Sequence, residues 1–497
     1  MTNLPTVRLG LIATSRNCFP IELARRRRTE LIKECRRQKI RVHEISTIVE
    51  REDHVIEALK ETERANINAL VIFLGNFGPE GPETLLAQNF NGPVMFVAAA
   101  EESSQDLIHG RGDAYCGLLS ACYNLGLRRV KVYLPEYPIG RAPEIASMIQ
   151  EFIPIARILL GIRNLKIIAF GPRPQDFFTC HAPLQPLYDL GIEVMENSEL
   201  DLYDAFLKSK DDPAINKVVE EMKVELKGTK PDPSLLKKLA QYEVTLLNFF
   251  EMNRGRAQYV VFANKCWPAF EHYFGFVPCY VNSRLASQGI PVACEVDIYG
   301  ALSEYLAACA SNFPVSLLDI NNTVPLDMYE KEKEKIGSYK LTDLFMGFHC
   351  GNTPACCLVG GELRYQLIMN RLLEAGKEPE ITRGTLEGRI KPGPITLFRL
   401  QATPENWLQA YLAEGEVLDI DPQTFGGVGV FAIKEMGRFY RYVLLEKQFP
   451  HHTAVAFEHI GRPLFSALRV LGIEDINFNQ PANLLYPGEN PFGSFLS

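Results

Sequence analysis

The chain has 497 residues, 46% of them apolar and 23% charged, and a net charge of −8. Branched apolar and aromatic residues recur throughout, which excludes a largely disordered protein. The acidic balance argues against nucleic acid as a partner, because nucleic acid selects a basic face.

TVRLGLIAT (6–14) reads as a strand, and a helix follows to about Arg37. IRVHEIS (40–46) is a second strand, and a helix covers roughly 52–65. NALVIFLG (68–75) is a buried strand running into GNFGPEGPE, and GPVMFVAAA (92–100) repeats the pattern. Strands separated by helical lengths make βαβ units and a parallel sheet. The joints Ser15-Arg16-Asn17 and Asn76–Glu80 fall at strand carboxyl ends, where such sheets place ligands. The basic run Ala24–Arg28 reads as a solvated helix face or as a pairing surface for acidic neighbours.

A second α/β unit starts at Asn164–Phe170, followed by the turn GPRPQD and the strand GIEVMEN (191–197). Residues 207–245 are rich in Lys, Glu and Asp and read as exposed helices, with Lys227–Pro233 as a turn between them. YVVFANKCWP (259–268) is a strand ending in a polar–aromatic loop. From about 311, LLDI, LVGG, ITLFRL, GVGVFAI and RYVLLE suggest shorter strands and fewer helices. The expected architecture is two Rossmann-like α/β domains with parallel sheets, 1–163 and 164–310, followed by a β-rich C-terminal domain, 311–497. No run of about 18 apolar residues occurs and no secretory leader opens the chain, so a cytoplasmic protein with no membrane partner is expected.

Twelve cysteines include no C-x-x-C pair. Cys294 in PVACEV and Cys309 in YLAACA read as buried reduced thiols. Adjacent Cys356 and Cys357 have no evident base partner, which favours packing over nucleophilic catalysis. No glycine run forms a dinucleotide or P-loop motif.

Polar groups interrupt apolar runs in three places. PVACEVDIYG puts Glu295 after an apolar strand, just before a helix. A buried carboxylate there costs several kcal/mol unless it is paired or bound to a metal. The plainer explanation is a helix cap or an Arg partner. VSLLDINN ends a strand at Asp319, with an Asx-turn as the plainer explanation. FPHHTAVAF sets His451 and His452 after the strand RYVLLE. On a strand their rings point to opposite faces, so at most one enters a given site easily. Two carboxylates and an imidazole suit Mn²⁺, Mg²⁺ or Fe²⁺ better than structural zinc. Such an ion with carboxylates beside it can polarise a hydroxy-carbonyl fragment while a carboxylate takes the adjacent C–H proton, a route to aldose–ketose isomerisation. Hydrolases use similar ligands. His349, in FHCGN, is a further candidate or a satisfied core histidine, and Lys265 and Trp267 in NKCWP could line a sugar site.

The stretch NKCWPAFEHYFGFVPCYVNSRLASQGIPVACEVDIYGAL, with FHCGN and HHTAVAFEHIG, resembles the L-fucose/L-arabinose isomerase superfamily, nearest to its shorter L-fucose isomerase-like branch. Glu295 and Asp319 are 24 positions apart, the spacing of the metal-binding pair in fucose isomerases. The resemblance implies a Mn²⁺ enzyme, with Co²⁺ as a further alternative ion. Glu295, Asp319 and His452 would be its metal ligands, and Glu295 and Asp319 also its acid/base pair across C1 and C2 of the sugar. It implies a homo-trimer or homo-hexamer with active sites between subunits, and substrate contacts from Arg16, Lys265, Trp267, His349, Asn352 and His451. The sugar would be L-fucose, a relative, or a 6-substituted sugar such as sulfoquinovose. A sulfonate would need a cationic or helix-end donor, for which Arg16, Lys265, Arg383 and Arg389 are available. The alternative is a non-catalytic sugar-binding or regulatory protein on the same fold.

Overall fold

The computed structural model describes residues 3–492, apart from 106, 109, 227–230 and 369–380. The expected turn at Lys227–Pro233 therefore lies mostly outside the described residues. The chain divides into two compact units, a smaller one of Pro5–Leu160 with Ser466–Gly472, and a larger one comprising the rest.

The smaller unit carries β1 (Leu9–Thr14), β2 (Val42–Glu44), β3 (Ala69–Leu74), β4 (Val94–Ala99) and β5 (Ile139–Gly140). All pair in parallel, in the order β2-β1-β3-β4-β5. β1, β3 and β4 are buried along their whole length. Such continuous apolar runs belong to strands covered on both faces. The strand order reverses between β1 and β3, and their carboxyl ends form the crevice typical of ligand sites in open α/β sheets. The basic run splits in two on helix Ile21–Arg37. Arg25 and Arg26 face solvent. Arg27 and Arg28 are buried against Glu101 (2.6 Å) and Glu44 (2.9 Å).

Helix Ala142–Arg163 is long and apolar enough to cross a membrane by length and composition alone. Glu144, Glu151, Arg157 and Arg163 interrupt it, so no unbroken apolar run marks it in the sequence. Most of it is buried in the protein.

The larger unit opens with β6 (Leu165–Phe170), β7 (Glu193–Asn197), β8 (Tyr259–Ala263) and β9 (Val292–Ala293), parallel in the order β7-β6-β8-β9. The expected exposed helices are Glu199–Lys208, Ala214–Glu225 and Pro233–Asn253. The last is not exposed: Leu235, Leu239, Tyr242, Leu246 and Phe250 are buried in the main core. Lys237 and Lys238 are exposed on the opposite face of the same helix, so the charge in the composition hides its buried stripe.

The remaining strands are β10 (Val315–Asn322), β11 (Leu344–His349), β12 (Leu358–Tyr365), β13 (Arg383–Ile390), β14 (Gly393–Ala402), β15 (Leu408–Leu418), β16 (Gly427–Ala432), β17 (His452–Ala456) and β18 (Asp475–Phe478). β16 pairs with both β11 and β15, so β16-β11-β10-β17-β14-β15 closes as a six-stranded antiparallel barrel. Closure removes the sheet edges that would otherwise need covering. β14 and β15 have 10 and 11 residues, longer than the short strands expected here. RYVLLE is not a strand. Helix Met436–Phe439 continues into a π-helical segment, Tyr440–Leu445, with Val443 and Leu444 buried. A short apolar run does not distinguish strand from buried helix by periodicity.

Candidate active site

Glu295 sits at the carboxyl end of the second parallel sheet, where β9 is only two residues long. The turn after it is unusual. Glu295 and Val296 both adopt left-handed backbone, with φ of 54° and 58°. For a β-branched residue this is a genuine outlier, costing on the order of 1–3 kcal/mol. Two backbone bonds hold the turn, Val296 N–H to Asn264 O (2.8 Å) and Asp297 N–H to Cys294 O (3.0 Å).

Asp297 follows and caps helix Ile298–Ser311, its Oδ1 accepting the Gly300 N–H (2.8 Å). It also receives both arms of Arg399, at 2.6 and 2.9 Å, and the His452 Nδ1–H at 2.9 Å. Gly300 is needed here, because a Cβ would meet Asp297 Oδ2 at 2.5 Å. Burial would raise the Asp297 pKa, but Arg399 and the bond from His452 hold it well below the carboxylate range.

The barrel supplies the other groups. Asp319 on β10 lies directly opposite His452 on β17 in the antiparallel register, and opposite Phe348 on β11. Opposed residues on neighbouring strands have Cβ atoms about 4.5–5.5 Å apart, so register alone brings carboxylate and imidazole together. Asp319 does not end its strand, as the sequence suggested. β10 runs on to Asn322 through a bulge after Ile320.

His452 Nε2 lies 3.3 Å from Glu295 Oε2 and 3.4 Å from Asp319 Oδ1. Its Nδ1–H is committed to Asp297, a carboxylate that can only accept, so Nε2 faces the two acids. Burial would lower the His452 pKa, but hydrogen bonds with Asp297, Cys180 and Glu295 hold it well above the ordinary value. Burial would likewise raise the Glu295 pKa, but His452's hydrogen bond and charge lower it, helped by His349 and His451.

His451 also reaches Asp319, at 3.8 Å. This corrects the expectation that only one of the pair enters easily: β17 begins at His452, so His451 lies in the preceding turn, outside the strand alternation. The His451 pKa is lowered by burial and by the neighbouring His452. His349 ends β11 with Nε2 3.9 Å from Glu295 Oε2, while its Nδ1 accepts the Cys350 N–H (2.9 Å). Asn352 is buried, its Nδ2 donating to Leu317 O at 3.4 Å.

Beyond these long approaches of the single His452 Nε2, the buried Glu295 Oε2 and Asp319 Oδ1 have no hydrogen-bond partner, and neither does Asn352 Oδ1. Two orphaned carboxylate oxygens flanking one imidazole nitrogen form a donor set suited to a hard or borderline divalent cation. Asp297 behind His452 completes the carboxylate–histidine pattern that orients metal-binding imidazoles. Among the described residues, ligand atoms of Asp319, His451 and His452 lie within 4.8 Å of one another, as do those of Cys294, Glu295 and His349.

Residues 10–163 match the family model for the fucose/sulfoquinovose isomerase N-terminal domain, and residues 347–478 match that for the L-fucose isomerase C-terminal domain. The chain belongs to the fucose/sulfoquinovose isomerase family. Proteins named sulfoquinovose isomerase resemble it across part of its length. That of Alkalicoccus urumqiensis is 26% identical over 309 residues, 61% of this chain and 62% of the relative. That of Priestia aryabhattai is 24% identical over 329 residues, 65% and 66% respectively. That of Clostridium sp. (strain MSTE9) is 26% identical over 299 residues, 58% and 60%. The chain thus spans less than two thirds of the length of the relatives it matches.

In this member of the fucose/sulfoquinovose isomerase family, the remaining expected contacts are placed as follows. Arg16 lies in the smaller unit, at the β1/β3 crevice, bonded to Gly78 O and Glu80 (2.9 Å each) and stacked 4.3 Å over Phe77. Lys265 is buried, with Nζ on Glu199 (2.9 Å) and Pro172 O (2.8 Å). Trp267 packs edge-on to Phe177, which packs edge-on to His451. Arg383 faces Asp232 at 3.9 Å and Arg389 pairs with Asp419. All four basic groups taken as sulfonate donors therefore have carboxylate partners.

The sequence reading missed Asp297, Arg399 and the loop after β6. That loop supplies Phe177, Thr179, 3.5 Å from His451, and Cys180, 3.9 Å from His452. Arg173, in the same loop, stacks 4.3 Å over Phe178 and has no carboxylate partner among the described residues. Arg173 and Cys180 together line a cavity of about 550 Å³. The visible signal was Arg399, a charge inside the apolar strand ITLFRL.

Proposed function

We propose that the protein is an aldose–ketose isomerase dependent on a divalent ion, Mn²⁺ by preference, acting on sulfoquinovose, L-fucose or a related sugar. The observation that carries this reading is the pair of orphaned buried oxygens, Glu295 Oε2 and Asp319 Oδ1, on either side of His452 Nε2. Glu295, Asp319 and His452 would hold the ion. When bound, it would polarise the carbonyl of the open-chain sugar and lower the barrier to forming a cis-enediol.

The chain's own groups do the rest. Glu295 and Asp319 act as the acid/base pair, one removing the C2 proton of the aldose and the pair returning a proton at C1. Asp297 fixes the His452 tautomer, and Arg399 keeps Asp297 ionised. His349, with Nε2 toward Glu295, and Asn352, with its unpaired Oδ1, are hydroxyl contacts. His451 and Trp267, linked through Phe177, wall the site. Arg173 is the proposed donor to a substituent at the far end of the sugar, a role for which Lys265, Arg383 and Arg389 are already neutralised. The relatives' name favours sulfoquinovose as the substrate. Arg16 would serve a neighbouring chain's site in a homo-trimer or homo-hexamer of three-domain chains, divided as 1–163, 164–310 and 311–497.

The test is proton exchange in D₂O with Mn²⁺ present, sulfoquinovose and L-fucose followed side by side by NMR. Ketose formation with deuterium entering at C1 or C2 is expected with one of them. Metal-loaded protein that exchanges neither sugar would contradict the reading for both.

A further inference from the structure

Cys356 and Cys357 end the short turn Ala355–Cys357, just before β12. Neither belongs to the site above. Cys356 is exposed and Cys357 buried, with their Sγ atoms 3.7 Å apart. Lys391 lies against both: its Nζ donates to Cys356 O at 2.6 Å and its backbone N–H to Cys357 O at 2.9 Å. This is the cationic partner that the sequence reading did not find.

The pair is electronically split. The hydrogen bond from Cys357 and the charge of Lys391 lower the Cys356 thiol to about 7, against burial and the charge of Glu225. Cys357 is pushed up by the same bond, by burial and by the Cys356 charge. The exposed sulfur is thus the more readily ionised of the two, and the buried thiol is held beside it. Redox-active cysteines show this combination of a low-pKa, accessible thiol with a resolving partner. Cys18 and Cys116 are also exposed, but neither has a second thiol within hydrogen-bond reach among the described residues.

We propose that Cys356 and Cys357 form a modification site that a hydroperoxide oxidises reversibly to a disulfide. The Cys356 thiolate attacks one peroxide oxygen. The S–O bond forms, the O–O bond breaks, and the leaving oxygen takes up a proton. The Cys357 sulfur then attacks the sulfenic sulfur. The S–S bond forms, the S–O bond breaks, and the hydroxyl leaves as water with the Cys357 proton. Two thiols lose two electrons and the peroxide gains them. Adjacent residues have Cα atoms about 3.8 Å apart, below the roughly 4.4–6.8 Å usual for disulfides. The product is strained and readily reduced, which makes the change reversible.

The experiment exposes the full chain to hydrogen peroxide in small excess, alkylates the remaining thiols and maps every cysteine by fragment mass spectrometry. Expected is loss of two hydrogens and of both alkyl groups at Cys356 and Cys357, about ten-fold faster than any change at Cys18 or Cys116 and reversed by dithiothreitol. In Cys357→Ser or Cys357→Ala, dimedone should trap a sulfenic acid on Cys356, with no disulfide. Oxidation of wild-type Cys356 with Cys357 still alkylated would overturn the proposal, as would a disulfide to Cys350, or a Cys356 no faster than Cys18.

Discussion

Asp297 serves three partners at once: the helix it caps, the guanidinium of Arg399 and the imidazole of His452. Asp297→Asn keeps the shape and removes the charge. It should weaken Mn²⁺ binding by about 10–100-fold, the usual cost of losing an orienting partner behind a metal-binding histidine. It should also cost about 3–5 kcal/mol of stability, because Arg399 is left buried without its counter-charge. Calorimetric titration with Mn²⁺ and urea unfolding check the two effects separately. Arg173→Gln should raise KM for sulfoquinovose by about ten-fold or more and leave L-fucose unchanged, as loss of a charged hydrogen bond to one substrate predicts. Equal kinetics on both sugars would remove Arg173 from the site. Glu295, Asp319 and His452 were legible because each breaks an apolar run. Arg399 was equally visible, but its partner lies 102 positions away, and no local pattern reveals such a pairing. His451 belongs with the contacts the resemblance implied, and only the alternation argument against two entering histidines fails, because alternation applies only from the residue where the strand starts.

Helix Glu80–Asn89 carries an acid into the interior of the smaller unit. Glu83 is fully buried, with one oxygen accepting from Thr14 (3.0 Å) and the other unpartnered. Burial outweighs that bond and the charge of Arg16, and pushes its pKa from 4.5 up to about 8. Between those values the folded protein keeps a proton that the unfolded chain has released. Its contribution to stability is complete below about 4.5 and is lost as pH rises toward about 8. At roughly 1.4 kcal/mol per unit, the loss is a few kcal/mol. Glu83→Gln should flatten this slope in urea unfolding followed from acid to mildly alkaline pH, and an unchanged slope would show that Glu83 does not titrate there. The parallel sheets were readable at this scale because strands buried on both faces appear as unbroken apolar runs. The barrel was read only as β-rich, since its closure rests on β15 meeting β16, a pairing that no local run of residues announces. RYVLLE failed because a short apolar run fits a strand and a buried helix equally well.

The proposed metal ligands all lie in the larger unit, whereas Arg16 lies in the smaller one. If sites form between chains, Arg16→Ala and Glu295→Gln damage different halves of the same site. Each variant alone should be nearly inactive. Co-refolding or subunit exchange between them should restore part of the activity, because mixed oligomers contain some sites with neither lesion. No recovery in mixtures shown to exchange subunits would place Arg16 outside a neighbour's site. The most direct test of the whole account is an anomalous-difference map from crystals grown with Mn²⁺. It should show one strong peak held by the carboxylates of Glu295 and Asp319 and by Nε2 of His452. A peak at Cys294 and His349 instead, or none at these residues in crystals of active protein, would contradict the assignment of the metal centre and the chemistry built on it.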